Sequence, residues 1–476
     1  MAAAAFCASG QVERPKLVVG LVIDQMRWDY LYTYQWGEGG FKTLMHDGYM
    51  CNNTIIDYVP TVTAVGHASI FSGTTPAFHG IAGNSFTLNG KNVTSVQDDN
   101  ERAVGGNEKT RGKSPRNLIT TNIADQLYLA TDYKSRTVGI ALKDRAAILP
   151  SGHHPVGAYW FDSGSKSFVT STYYCNTLPK WVADFNKRNR DVLAGDINNT
   201  PSGTTITFAL AEQALINEKL GQGDATDMLT ISVSNTDMCA HNTGSHSPKV
   251  DSIYWQLDKE IAHFIEVLDQ RIGRGNYLLF LTADHGGTHS CPRMESHHLP
   301  NGAWANGEAR NAANELLKAQ FGVDLLIQQD HGFTFHLNHE AIDSAGLDTH
   351  QVAKAACAAL EKSDEVEWAV EVVDIDNSPI PSILKERIKL GYYPGRSGDI
   401  YVIQRTGVQL GKVEWAGSNH GTWSQSDSHI PLIFMGWHIT PGETSRLTHM
   451  TDIAATVCAM LHIQAPNGCI GNPIFE

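Results

Sequence analysis

The chain predicts an α/β fold built on a central, mainly parallel sheet flanked by helices, with inserted segments capping one edge. Three observations carry this expectation. Five short apolar runs are rich in Val, Ile and Leu and do not alternate with polar residues: Leu17 to Ile23, Thr137 to Leu142, Met228 to Val233, Tyr277 to Leu281 and Ile430 to Met435. Strands buried on both faces of a sheet read this way. Helical patterns lie between them, for example over 117–130 and 250–269, and strands that alternate with helices build parallel sheets. Finally, polar side chains suited to metals or anions follow four of the runs: Asp24, Lys143 with Arg145, Asp237, and the pair Asp284-His285. Open α/β sheets bind ligands in the crevice at the carboxyl ends of their strands. An isolated Asp there is ordinarily a helix cap, but four such deliveries to one edge describe a site.

The rest of the chain is organised around that frame. Residues 86–135 begin as polar, loop-rich sequence, and 290–410 hold a smaller α/β pattern, with a strand over Gly332 to Leu337 and a helix over His350 to Lys362. Both are expected as insertions walling the mouth of one catalytic domain that covers 16–476. Residues 1–15 are expected to be the remnant of an export signal or an added tail, because small residues crowd a short apolar start. That reading implies a periplasmic or secreted protein. No apolar run reaches membrane-spanning length, so no membrane span is expected. The formal charge is −14, with 36 basic against 50 acidic side chains and no basic stripe. Nucleic acid is therefore excluded as a partner bound by bulk electrostatics. An anionic substrate would need a local positive centre, which bound metal supplies. Eight cysteines without CxxC spacing decide little, although Cys458 and Cys469 could pair if the chain turns back between them.

The chemistry-bearing residues form a set. Asp237 and His241 are four apart and share a face if the chain turns helical after its strand. Asp284 and His285 are adjacent and followed by two glycines, and His420 lies in Ser-Asn-His-Gly just before the last apolar run. With Asp24 they make three aspartates and three histidines, enough for two zinc ions with three protein ligands each and a position open to substrate. Thr63 precedes a short apolar helix that ends at Gly73. It reads either as an N-cap or as a nucleophile beside free helix N–H groups, which favour phosphate. A threonine hydroxyl is barely ionised near neutral pH and needs a metal to activate it. Lys143 and Arg145, two apart, point the same way in an extended segment. Alone they would be a solvated pair, and Asn84 after Gly83 would be a turn residue. His67, His79 and the His289 to His298 group remain unassigned, the first two reading as structural.

Taken in order, Val22-Ile23-Asp24, Thr63-x-x-Gly66-His67, Gly83-Asn84, Lys143-x-Arg145, Asp237-x-x-x-His241, Ala283-Asp284-His285-Gly286 and His420-Gly421 resemble the alkaline phosphatase superfamily. The likeness is nearest to the bacterial phosphate-irrepressible enzymes with a threonine nucleophile and runs from about Lys16 to the C-terminus. It implies an alkaline phosphatase-like fold and a broad-specificity phosphate monoesterase working through a phosphothreonine. It also implies one zinc on Asp237, His241 and His420 toward the leaving group and another on Asp24, Asp284 and His285 beside Thr63. Asn84, Lys143 and Arg145 would contact the phosphoryl oxygens. No acidic set for a third, magnesium site is apparent. The alternative within the superfamily is a phosphodiesterase or nucleotide pyrophosphatase, from which the resemblance separates this chain by Lys143 and Arg145. A sulfatase is disfavoured because no Cys/Ser-x-Pro-x-Arg segment surrounds Thr63. The expected partners are small phosphate monoesters.

Overall fold

Leu17–Ile23 is buried at every position because it lies mid-sheet, with parallel neighbours Asp227–Val233 and Tyr277–Thr282 on its two sides. Thr137–Ala141 pairs in parallel with Asp227–Val233, and Gly157–Asp162 with Thr137–Ala141. These strands are the parallel centre of an 11-stranded sheet whose outer members are mostly antiparallel. The structure, a computed structural model, describes residues 12–37 and 39–475. Most of the 1–15 tail, Cys7 included, lies outside the described residues.

The last apolar run departs from expectation. Pro431, which has no N–H to give to a ladder, divides it. His429–Ile430 pairs with Thr54–Ile55 in a small separate sheet, and Leu432–Gly436 joins the large sheet antiparallel to Tyr277–Thr282. The reversal sets the start of that strand, Leu432, opposite Thr282 at the end of its neighbour. The preceding loop, with His420, thereby reaches the sheet edge where Asp24 and Asp284 emerge.

Helices pack on the sheet by their apolar stripes. Pro248–Arg271 begins with proline in its first turn, capped by Ser247, and buries Val250, Ile253, Tyr254, Leu257, Ile261 and Phe264 at helical spacing. The helical pattern over 117–130 forms only from Ile123 to Ala130. Asn122 and Asp125 make a reciprocal capping box there, which starts the helix six residues later than its apolar spacing allows. Gln97–Val104 and Arg111–Lys113, from the polar region 86–135, extend the edge of the large sheet. A four-stranded sheet of Ile327–His331, Thr334–Leu337, Ile400–Gln404 and Val366–Glu371 has its own apolar cluster with Asn306–Phe321 and Thr349–Leu360. Among the described residues no helix is long and apolar enough to cross a membrane, and all seven cysteines, Cys458 and Cys469 included, are thiols.

Candidate metal centre and active site

Asp24 directly follows its strand and Asp284-His285 comes one residue after Tyr277–Thr282. Asp237 and His241 sit one turn apart on the helix Asn235–Thr243, which begins two residues beyond Asp227–Val233. The fold gathers these with His420 into two groups, Asp237/His241/His420 and Asp24/Asp284/His285, in each of which the donor atoms lie within 4.8 Å of one another. His241 Nε2 is 3.2 Å and His420 Nε2 3.5 Å from Asp237 Oδ1. His285 Nε2 is 3.7 Å from Asp24 Oδ1 and 3.5 Å from Asp284 Oδ2. The groups adjoin, since the rings of His285 and His420 stack at 3.7 Å.

The histidines are oriented for metal binding by the backbone. Nδ1 donates to the Ser418 carbonyl from His241 (2.9 Å), to the Thr61 carbonyl from His420 (2.8 Å) and to the Gly286 carbonyl from His285 (2.8 Å). Each Nε2 lone pair therefore faces the centre, the arrangement by which outer hydrogen bonds select a ligating tautomer. Burial and, for His420, the adjacent His285 hold His285 and His420 below the ordinary imidazole range, so both stay neutral. Asp24 Oδ1, Asp237 Oδ1, Asp284 Oδ2 and His285 Nε2 are buried without a hydrogen-bond partner. Such atoms are costly to leave unpaired. A divalent cation in each group would satisfy them, and the donor set of imidazole and carboxylate suits zinc.

Lys143 stands between the groups. Its Nζ donates to Asp24 Oδ2 at 2.7 Å, Asp237 Oδ2 at 2.5 Å and Thr63 Oγ1 at 3.2 Å. Burial pulls its pKa down, but Asp237 and Asp24 more than reverse this and keep the ammonium charged. One ammonium does not balance three buried carboxylates. Burial and the charges of Asp284 and Asp237 push the Asp24 carboxyl well above its ordinary range despite Lys143. Burial raises Asp237 too, yet Lys143 and the adjacent His241 outweigh it and hold that carboxyl well below its ordinary range. The remaining deficit of positive charge is what metal ions would fill.

One local expectation is corrected, and one of the two readings of Thr63 is removed. Lys143 and Arg145 do not share an extended segment. Lys143 is the residue before the short helix Asp144–Ile148, and Arg145 lies in its first turn. A helical start swings the two side chains apart, so Lys143 is buried at the centre while Arg145 is partly exposed, 3.7 Å from Asp144 and with Nε unpartnered. Thr63 is not the helix cap either. It is the first residue of Thr63–Ser72, Val62 holds the cap position, and the Thr63 hydroxyl is left facing Lys143. Asn84 takes up the capping: its Oδ1 accepts the Ala64 N–H at 2.8 Å, which leaves its amide N–H groups as donors at the helix N-terminus.

Other histidines stand apart. His79 is buried against Ser69, while His297 and His298 are exposed and do not converge with His289. A third group, His350 with Glu371 and Asp374, is partly exposed, and His350 already bonds Glu371. Sequence reasoning missed Gly66, although the Thr-x-x-Gly-His spacing marked it. A Cβ there would stand 2.2 Å from the Asp284 carbonyl oxygen and 2.7 Å from the Asp284 Cβ, so only glycine lets this helix lie against the Asp284 segment. Gly66→Ala is expected to cost about 1–3 kcal/mol of stability by overpacking. It should also lower activity at least about tenfold by displacing Asp284. Calorimetry and steady-state assays on the same preparation check both.

Against known proteins, residues 18–426 match the family model of type I phosphodiesterase / nucleotide pyrophosphatase. The alkaline phosphatase PafA of Elizabethkingia meningoseptica is 41% identical over 98% of this chain and 95% of its own length. A Myroides odoratus protein named calcium-transporting ATPase is 41% identical over 99% of this chain and 96% of its own. The crystal structure of PafA superposes with a TM-score of 0.92 at 40% identity, covering 98% and 99% of the two chains, and a PafA variant changed at a threonine, an asparagine, a lysine and an arginine matches equally well. Both the sheet with its antiparallel margin and the two ligand groups at its edge thus stand in a chain that belongs, over its whole length, to the alkaline phosphatase superfamily, close to PafA.

Proposed function

We propose that the protein is a two-zinc phosphate monoesterase that attacks phosphorus with Thr63. The observation that supports this reading best is Lys143 bonded at once to Asp24, Asp237 and Thr63, between two histidine–carboxylate groups in which Asp24 Oδ1, Asp237 Oδ1, Asp284 Oδ2 and His285 Nε2 are buried without a hydrogen-bond partner. Zinc ions bound there would supply Lewis acidity toward the nucleophile and the departing oxygen. Asp24, Asp284 and His285 would hold one, and Asp237, His241 and His420 the other. The chain's own groups do the rest. Asn84 and Lys143 present N–H donors to the phosphoryl oxygens, and the N-terminal turn of Thr63–Ser72 adds its positive dipole end. Thr63 Oγ gives up its proton and bonds to phosphorus as the ester oxygen departs with the bonding electrons and takes up a proton. Water then displaces Thr63, so one ester and one water give one alcohol and one inorganic phosphate. The four residue types changed in the PafA variant are those of Thr63, Asn84, Lys143 and Arg145.

The matched family model favours a second reading, a phosphodiesterase or nucleotide pyrophosphatase. Lys143 and Arg145 discriminate. A monoester dianion offers one more charged oxygen than a diester, whose second substituent fills that place. A hydrogen bond to a charged group contributes roughly 1.5–3 kcal/mol, or about 10- to 100-fold in rate. Arg145→Ala is the cleaner test, because Lys143→Ala also removes the ammonium shared by Asp24 and Asp237. Both variants are expected to lower kcat/KM for an aryl phosphate by that factor and to affect the corresponding diester clearly less. A wild-type preference for the diester would transfer the assignment to the second reading.

A further inference from the structure

One turn beyond Thr63 lies a buried histidine for which the reaction has no use so far. His67 Nδ1 is 2.8 Å from the Thr63 carbonyl oxygen and 3.3 Å from Asp284 Oδ2. Its Nε2 is 2.9 Å from Ser232 Oγ on the strand Asp227–Val233. Both neighbours of Nδ1 are oxygens with no proton to give, so Nδ1 carries a hydrogen, and Nε2 pairs with the Ser232 hydroxyl. A ring held at both nitrogens has one orientation and one tautomer. The carboxylate oxygen beside it matters. Asp284 Oδ1 accepts the backbone N–H groups of Gln25 and His285, whereas Oδ2 has the longer contact from His67 Nδ1 and faces His285 Nε2 at 3.5 Å. Oδ2 is thus the oxygen turned to the metal position, and Gly66, by admitting the helix against Asp284, brings His67 to it.

We infer that His67 is a positioning residue that fixes the nucleophile helix relative to the metal-facing oxygen of Asp284. It touches neither substrate nor metal and acts through Thr63 and Asp284. The inference rests on the two-zinc reading above. A histidine that merely filled the core would, on removal, lower stability and weaken both metal groups alike. A positioning role is asymmetric: it weakens the group that contains Asp284 and lowers kcat more than it changes KM.

The test uses the full chain with His67→Phe, which keeps bulk but no N–H, His67→Asn, which restores a donor near Nδ1, and Ser232→Ala, which frees Nε2 only. Zinc affinities are measured by chelator competition, alongside kcat and KM on an aryl phosphate. In His67→Phe one of the two zinc affinities should fall about 10- to 100-fold, the usual effect of removing an outer partner of a metal ligand. The other should hold, and kcat should fall by a similar factor. His67→Asn should recover most of both, with Ser232→Ala intermediate. In a His420→Ala background, where Asp24, Asp284 and His285 remain as the intact group, the same loss should reappear. Equal weakening of both affinities, no weakening, or no recovery with asparagine would overturn the role. If His67→Phe does not fold, unchanged zinc affinity and kcat in Ser232→Ala overturn it. Wild-type protein that binds no zinc refutes the two-zinc reading and this inference with it. Wild-type protein with two zinc ions and indifferent variants refutes the inference alone.

Discussion

Thr63→Ala is expected to remove the proposed phosphoenzyme and to lower turnover by about four orders of magnitude or more, the scale on which loss of a nucleophile acts in covalent catalysis. The expectation follows from how the Thr63 hydroxyl is placed. It caps no helix and is buried at the first residue of Thr63–Ser72, 3.2 Å from Lys143. Thr61, two residues earlier, is the natural misassignment, but its hydroxyl donates to the Thr422 carbonyl at 2.9 Å and its own carbonyl orients His420. Thr61→Ala should therefore still form the phosphoenzyme. The measurement is an acid-quenched single turnover with the modified peptide mapped by mass spectrometry. Phosphate found on Thr61, or a burst retained in Thr63→Ala, would refute the assignment. Zinc content in Thr63→Ala should match wild type, because none of the six proposed ligands is altered.

Removing metal is expected to have an effect as large. Exhaustive chelation should abolish activity, zinc should restore it, and elemental analysis should return about two equivalents per chain, since each group offers three ligands. Stability should fall with it. Without a cation, Asp24, Asp237 and Asp284 are three carboxylates around one ammonium in a buried space. By mass action a ligand at a thousand times its Kd adds roughly 4 kcal/mol to the folded state, so the metal-free protein should melt several degrees lower. His420→Ala should drop the stoichiometry toward one and leave Asp24, Asp284 and His285 able to bind. Full activity in metal-free protein, or unchanged melting after chelation, would exclude the mechanism.

The parts of this site that were legible in the sequence are those placed by local rules. Asp24, Asp237 and Asp284-His285 each stand a few residues past a wholly buried strand, and parallel strands deliver such residues to one edge. Asp237 and His241 needed only the period of a helix. The ten-residue helix from Thr63 to its glycine stop at Gly73, where φ is 68°, was equally local. What tertiary structure alone decided depends on contacts between distant segments. His420 reaches the site because Pro431 breaks a run that reads as one strand and the remainder pairs antiparallel. Lys143 was indistinguishable from a solvated pair with Arg145 until a helix began between them and turned its ammonium onto Asp24, Asp237 and Thr63. The inward Nε2 atoms of His241 and His420 are set by carbonyls of Ser418 and Thr61, far away in the chain. Periodicity reports which face of an element is buried, not which atoms of another element meet it, so residue types and offsets determined the candidate ligand set while packing decided its orientation and charge balance.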